Sequence, residues 1–120
     1  DPQNTVIYEN LGILFSNNEN YEKSIEYMSC VLAINQKKLS ALNIRAYANI
    51  QLENYPEAIK DLSVVLENKP NDPDANFWRG YIYYKKSEKD KALIYIKKTL
   101  AVNPQYVNAQ KLLKELIPSN

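Results

Sequence analysis

Apolar side chains return every three or four positions along almost the whole chain, the spacing of one face of an α-helix, and short polar stretches interrupt the runs. Tyr8, Leu11 and Phe15 form a first stripe, followed by Ile25, Met28, Val31 and Leu32 on a second. The pattern then recurs as Leu42, Ala46 and Asn49 followed by Ile59, Leu62, Val65 and Leu66, and again as Gly80 and Tyr83 followed by Ala92, Leu93, Ile96 and Leu100. A last stripe, Leu112, Leu113 and Leu116, has Lys111, Lys114 and Glu115 around its remaining faces. The spacing predicts seven helices near 5–17, 21–34, 39–52, 55–68, 73–86, 89–102 and 105–117, joined by loops short enough to hold neighbours antiparallel.

The stripes also keep a fixed register. Pro70 and Pro104 lie 34 residues apart, and two steps back from Pro70 pass Gln36 and land on Pro2. Gly12, Ala46 and Gly80 form another column, Ser24, Ala58 and Ala92 a third, and Tyr21 with Tyr55 a fourth. Such a period means one two-helix unit copied along the chain, each copy unable to bury its apolar face alone. The small residues in the second and third columns let the two helices of a unit approach closely. Asn20, Asn54 and Ser87 are expected to cap the second helices, because a side-chain oxygen there can accept from an unpaired backbone N–H. Pro56, Glu57 and the Asp72-Pro73 pair add to these start signals. Three units, near 5–38, 39–72 and 73–106, followed by a capping helix near 105–117, are expected within a single domain spanning 1–120. The in-phase Asp1-Pro2 leads us to expect that the chain is a piece of a longer protein, cut just behind another unit.

Composition narrows the function classes. The chain is 45% hydrophobic and 24% charged, as in ordinary globular proteins, and its net charge of +1 provides no global field to attract nucleic acid or anionic lipid. Lys85, Lys86, Lys89, Lys91, Lys97 and Lys98 cluster, offset by Glu88 and Asp90. A solvated helical face explains them most simply, with docking of RNA or an acidic surface as the sharper reading. No run of about 18 apolar residues exists to span a membrane. Histidine is absent and Cys30 is the sole cysteine, so the usual general base and a cysteine zinc site are both missing. Cys30 is expected to be a small buried hydrophobe. The two glycines fit no phosphate-cradling fingerprint. The acidic neighbours Glu19 and Glu22, or Asp72 and Asp74, sit where they complement helix N-termini. No catalytic residue, metal site or cofactor is expected, and the compartment stays open.

These residues carry a resemblance. Tyr8, Leu11-Gly12, Phe15 and Tyr21, then Tyr55, Ala58 and Pro70, then Gly80, Tyr83, Ala92 and Pro104 match the pattern of the tetratricopeptide repeat (TPR) over nearly the whole chain. The chain departs from that pattern at Asn76, where an aromatic is usual, at Arg45 and Arg79, where Leu is usual, and at Gln36 in place of Pro. Phe77 and Trp78 either compensate for Asn76 or act as surface ligands. The resemblance implies an all-α, right-handed α-solenoid of three helix-turn-helix units plus the C-terminal capping helix. It also implies a concave groove, lined by the first helices, that binds a segment of another protein.

Projected in phase, that groove takes Glu9, Asn10, Ile13 and Asn17 from the first unit and Asn43, Ile44, Tyr47 and Gln51 from the second. The third adds Asp74, Phe77, Trp78, Tyr81, Tyr84 and Lys85, and the cap adds Lys111. Tyrosine and tryptophan provide rigid area with a polar tip, and Asn and Gln can hydrogen-bond a peptide backbone without demanding charge. The expected ligand is a peptide with apolar or aromatic anchors, with one pocket centred on Tyr47, Trp78 and Tyr81. In the alternative reading Tyr47 and Trp78 pack between neighbouring units, and Tyr83 is expected to face the core. The family's chaperone-reading members hold a C-terminal carboxylate with basic and amide residues. In this chain those positions are Glu9, Ile13, Ile44, Asp74 and Trp78, so chaperone-tail binding is not expected. The runner-up function is a structural or self-associating scaffold within a larger array.

Overall fold

The computed structural model describes residues 2–118. Asp1, half of the in-phase Asp-Pro pair, lies outside them. The described residues form seven α-helices and no strand: α1 (Pro2–Asn17), α2 (Tyr21–Ile34), α3 (Leu39–Gln51), α4 (Tyr55–Asn68), α5 (Pro73–Lys85), α6 (Lys89–Val102) and α7 (Val107–Leu116). The fold is an all-α helical repeat. None of these helices is long and apolar enough to cross a membrane. Two compact units divide the chain, residues 1–65 and residues 66–120.

The turn inside each hairpin repeats in atomic detail. Glu19, Glu53 and Ser87, spaced by the same period, have φ of 62°, 61° and 62°. After each of them the chain closes the helix with the same pair of bonds. Asn20 N–H donates to the Phe15 carbonyl at 2.8 Å and Glu19 N–H to Ser16 at 3.0 Å, and the other two turns copy this. A left-handed residue bracketed by such bonds satisfies carbonyls that the helix end leaves orphaned. Ser87 is therefore the left-handed turn residue and not an N-cap. Glu88 occupies the cap position, without a side-chain capping bond. Asn20 does cap α2, accepting from Lys23 N–H at 3.3 Å, whereas the Asn54 amide donates to Asn49 Oδ1 at 3.4 Å.

In the first unit α1 packs on α2, and α3 packs on both. Met28, Val31, Leu42, Ala46, Leu62 and Val65 fill the core. A Cβ placed on Gly12 would lie 2.7 Å from Met28 Cε, so α2 comes close to α1 here and the Met28 side chain would have to shift to admit a larger residue. Cys30 is exposed, contrary to expectation. It lies roughly 200° around the helix from Met28, on the side turned from the core. Gln36 replaces the turn proline without loss of order, because Asn35 Oδ1 accepts from Lys37 N–H at 3.2 Å and pins the turn instead.

The second unit is built on Phe77, Ile96, Ala109 and Leu112, with Trp78, Tyr81, Tyr84, Leu100, Tyr106, Leu113 and Leu116 packed around them. Gly80 repeats the close approach, its missing Cβ falling 2.8 Å from Ile96 Cδ1. α7 starts at Val107 and not at residue 105, since Asn103 Oδ1 holds Gln105 N–H at 3.1 Å in a turn that delays the helix. Asn76 explains its own departure from the pattern. It is buried, and Nδ2 donates to the carbonyls of Pro70 and Asp72 at 3.1 Å each. One period on, Gln110 Nε2 donates to the Pro104 carbonyl at 2.7 Å. An amide replaces the ring and ties down the proline turn.

Candidate functional site

α1 and α3 carry the projected positions of the first unit. Asn10, Ile13, Asn17 and Gln51 are exposed, and Glu9, Asn43, Ile44 and Tyr47 are half-buried. Glu9 is already engaged within the fold. Its carboxylate accepts from Ser40 Oγ at 2.5 Å and lies 3.8 Å from Lys38 Nζ. Tyr47 meets the Tyr21 ring edge-on, with centroids 5.9 Å apart. Both rings border an open recess of about 430 Å³ shared with Ser16, Asn17, Asn18 and Glu19. Desolvation raises the Tyr21 hydroxyl pKa, and the neighbouring Tyr47 hydroxyl and Glu19 charge add to it.

In the second unit Phe77 leaves the predicted surface altogether. It is 4% exposed, sits in the core and stacks on Tyr106 at 5.2 Å, so it compensates for the aromatic that position 76 lacks. A ring so covered cannot act as a surface ligand. Trp78 is half-buried and packs edge-on against Phe77 at 4.8 Å and Tyr81 at 5.5 Å. The structure thus brings Trp78 and Tyr81 together on α5, while Tyr47 has its ring partner within the first unit. Asp74, like Glu9, is engaged: it accepts from the Tyr106 hydroxyl at 2.7 Å. Burial, reinforced by that bond, drives the Tyr106 pKa far above the ordinary tyrosine value. Tyr84 donates to Glu115 at 2.6 Å, which raises its own pKa. Lys85 and Lys111 are exposed, and Lys85 Nζ lies 6.0 Å from the Tyr81 ring centre. Tyr83 is half-buried and stacks on Tyr95.

Two polar arrangements escaped the sequence reading. Arg45 makes a two-pronged ion pair with Asp61, Nε and Nη2 each donating at 2.8 Å, and its Nη1 donates to Ser29 at 3.2 Å. The Asp61 bonds hold the Arg45 pKa above its ordinary value. With Ile25, Asn49, Glu57 and Lys60 these residues border a recess of about 320 Å³. Arg79, one period on, lies 5.5 Å from the centres of both the Tyr83 and Tyr95 rings. The signal was available in the register: where the Leu column turns to Arg at 45, the position 34 residues beyond Tyr27 turns to Asp61.

Comparison with known proteins agrees with this geometry. A tetratricopeptide-repeat family model matches residues 6–38 and 73–106, and a TPR-repeat model matches residues 46–87. No curated protein matches the chain significantly. Among solved structures, the first TPR of Spaghetti (RPAP3), bound to the HSP90 peptide SRMEEVD, superposes with a TM-score of 0.88 at 16% identity, over 97% of this chain and 92% of that one. The TPR domain of Arabidopsis OM64 gives 0.88 at 17% identity, over 94% and 93%. YrrB, described as a TPR protein with an unusual peptide-binding site, gives 0.83 at 21%, over 92% of this chain and 57% of its own. At these identities the likeness is one of fold. The hairpin register, the glycine contacts and the family matches together place this chain in the tetratricopeptide-repeat family.

Proposed function

We propose that this chain is a non-enzymatic protein-interaction module that binds a peptide or partner segment through uncharged first-helix side chains. One observation carries this reading. The two acidic residues among the projected positions, Glu9 and Asp74, are already bonded inside their own units. Amides and rings can meet a ligand in each unit: Asn10, Asn17 and Gln51 with Tyr47 in the first, and Trp78 and Tyr81 in the second. A ligand of these side chains has apolar or aromatic anchors and offers backbone groups to the amides. Its affinity falls near the micromolar range, about −8 kcal/mol. Lys85 and Lys111 add a weak preference for an acidic residue at one end.

A carboxylate-terminated chaperone tail does not suit these positions. Glu9, Ile13, Ile44, Asp74 and Trp78 supply neither a basic nor an amide group where such a tail needs neutralising. The absence of histidine supports binding in place of catalysis. Nucleic acid is disfavoured by the near-zero net charge.

A peptide-display selection against the chain, followed by calorimetry, tests the reading. Selected peptides should share aromatic or aliphatic anchors, and Tyr47→Ala should weaken them about tenfold, or ~1.4 kcal/mol. SRMEEVD serves as the counter-ligand. Binding of SRMEEVD tighter than the selected peptides, or selected peptides indifferent to both Tyr47→Ala and Tyr81→Ala, would overturn it.

A further inference from the structure

One face of the α5–α6 hairpin differs in charge from the same face of the two hairpins before it. In the α1–α2 hairpin that face pairs Lys23 with Glu26 at 3.5 Å. In the α3–α4 hairpin it pairs Glu57 with Lys60 at 3.4 Å and Arg45 with Asp61 at 2.8 Å. One period on, Glu57 is replaced by Lys91, Lys60 by Ile94, Asp61 by Tyr95 and Val64 by Lys98. Charges that balance twice become three cations, Arg79, Lys91 and Lys98, with no carboxylate at the corresponding positions.

Lys91, Ile94, Tyr95 and Lys98 stand at i, i+3, i+4 and i+7 of α6, on one side of the helix. Arg79 and Tyr83 of α5 adjoin them. The Tyr83 and Tyr95 rings stack at 5.6 Å, and Arg79 lies 5.5 Å from both centres. Lys91 and Lys98 close the row, 5.6 Å from the Tyr83 centre and 5.2 Å from the Tyr95 centre. Ile94, 55% exposed, lies between these lysines along the helix as an apolar anchor within a cationic rim. Other carboxylates of the second unit are engaged elsewhere: Asp72 caps α5, Asp74 accepts from Tyr106 and Glu115 accepts from Tyr84. Glu88, 3.7 Å from Lys91, and Asp90 sit at the start of α6 and offset only that end. The corresponding Lys23, Cys30 and Glu57 are exposed in hairpins that further helices follow, so the repeat leaves this side open as it continues.

Charge complementarity selects an acidic occupant, and the rings decide its class. Their faces are taken by each other and by cations, which leaves little for a nucleobase to stack on. We infer that this face docks an acidic segment of a partner protein, with carboxylates on Lys91 and Lys98 and an apolar side chain on Ile94. The two lysines are two helical turns apart, about 10 Å, so an extended segment reaches both with acidic residues about three apart. The inference is independent of the first-helix side chains, since Tyr81 lies about 200° round α5 from Arg79.

Fluorescence anisotropy with labelled Gly-Glu-Glu-Leu-Glu-Glu-Gly tests it. The chain should bind this peptide saturably at about 50 mM NaCl and about tenfold less tightly at about 500 mM. The peptide with lysine in place of every glutamate should not bind. Lys91→Glu combined with Lys98→Glu should reverse that preference, which an unfolded chain could not do. Lys114→Glu, an exposed change on α7, should leave binding as it was. A titration that shows no saturation by about 1 mM peptide overturns the inference. So does a double variant that keeps the acidic preference, or a Lys114→Glu loss as large as that of Lys91→Glu, which would reduce the effect to overall charge. A short uridine RNA supplies the competing class. Binding of that RNA more tightly than the acidic peptide, abolished by the same double reversal, would overturn the inference and assign the face to nucleic acid.

Discussion

The α3–α4 and α5–α6 hairpins put arginine at the same repeat position and then satisfy it by different chemistry. Arg45 is gripped by the Asp61 carboxylate, whereas Arg79 lies against the faces of Tyr83 and Tyr95. The α1–α2 hairpin has Leu11 there and stacks Phe15 on Tyr27 at 5.6 Å in a similar place. What the fold requires at this position is a covered stem and a satisfied tip, not a particular side chain. The partner chemistry decides how much is lost when one member goes. A carboxylate 7% exposed is costly to leave alone, but two tyrosine rings are not.

The largest expected effect breaks the comparison at its polar end. Arg45→Ala should cost about 3 kcal/mol in urea unfolding, because it strands Asp61. Arg79→Ala should cost about 1 kcal/mol, the loss of two half-exposed cation–π contacts and one hydrogen bond to Tyr83. Equal losses would mean that the guanidinium stems, and not their partners, provide the stabilisation.

Ser24→Ala converts the first hairpin to the Ala58 and Ala92 pattern of the other two. Ser24 Oγ is buried without a hydrogen-bond partner, so its removal should stabilise the chain by about 1 kcal/mol. A thermal midpoint that falls would show that the hydroxyl has a role in packing.

A titration tests the buried tyrosine of the second unit. The folded state holds Tyr106 neutral, while the unfolded chain ionises it near 10.0. Because the folded pKa is the raised one, this contribution is complete below that pH and is lost as pH climbs through and beyond it. Wild type should lose about 1 kcal/mol more than Tyr106→Phe by about pH 11. Parallel pH profiles for the two proteins would remove Tyr106 from the alkaline limb.

The smallest effect should be the same in every hairpin. Glu53→Gly and Ser87→Gly relieve identical left-handed residues, so each should stabilise by about 0.5 kcal/mol, and the pair should be additive. Unequal gains would mean that one of these side chains makes a contact that offsets its strain.

The helices were legible because an apolar stripe at helical spacing, repeated in register, admits few other folds. Asn76 and Gln110 were legible in principle, being amides one period apart, each six residues after a turn proline. Asn76 stood out only as a missing aromatic, and Gln110 was not singled out. Phe77 was misassigned for a related reason. Periodicity assigns a residue to a face, but whether α7 covers that face depends on a contact made more than thirty residues later. Ser87 and Cys30 failed on finer scales, one on a backbone angle and the other on helical phase.

By itself the sequence determined the repeat, the seven helices and the small residues at each close approach, since these follow from local periodicity and side-chain size. Only the tertiary structure decided which charges were spoken for and which aromatic was core. Those outcomes depend on partners distant in the chain, and a side chain's availability is set by what folding brings against it.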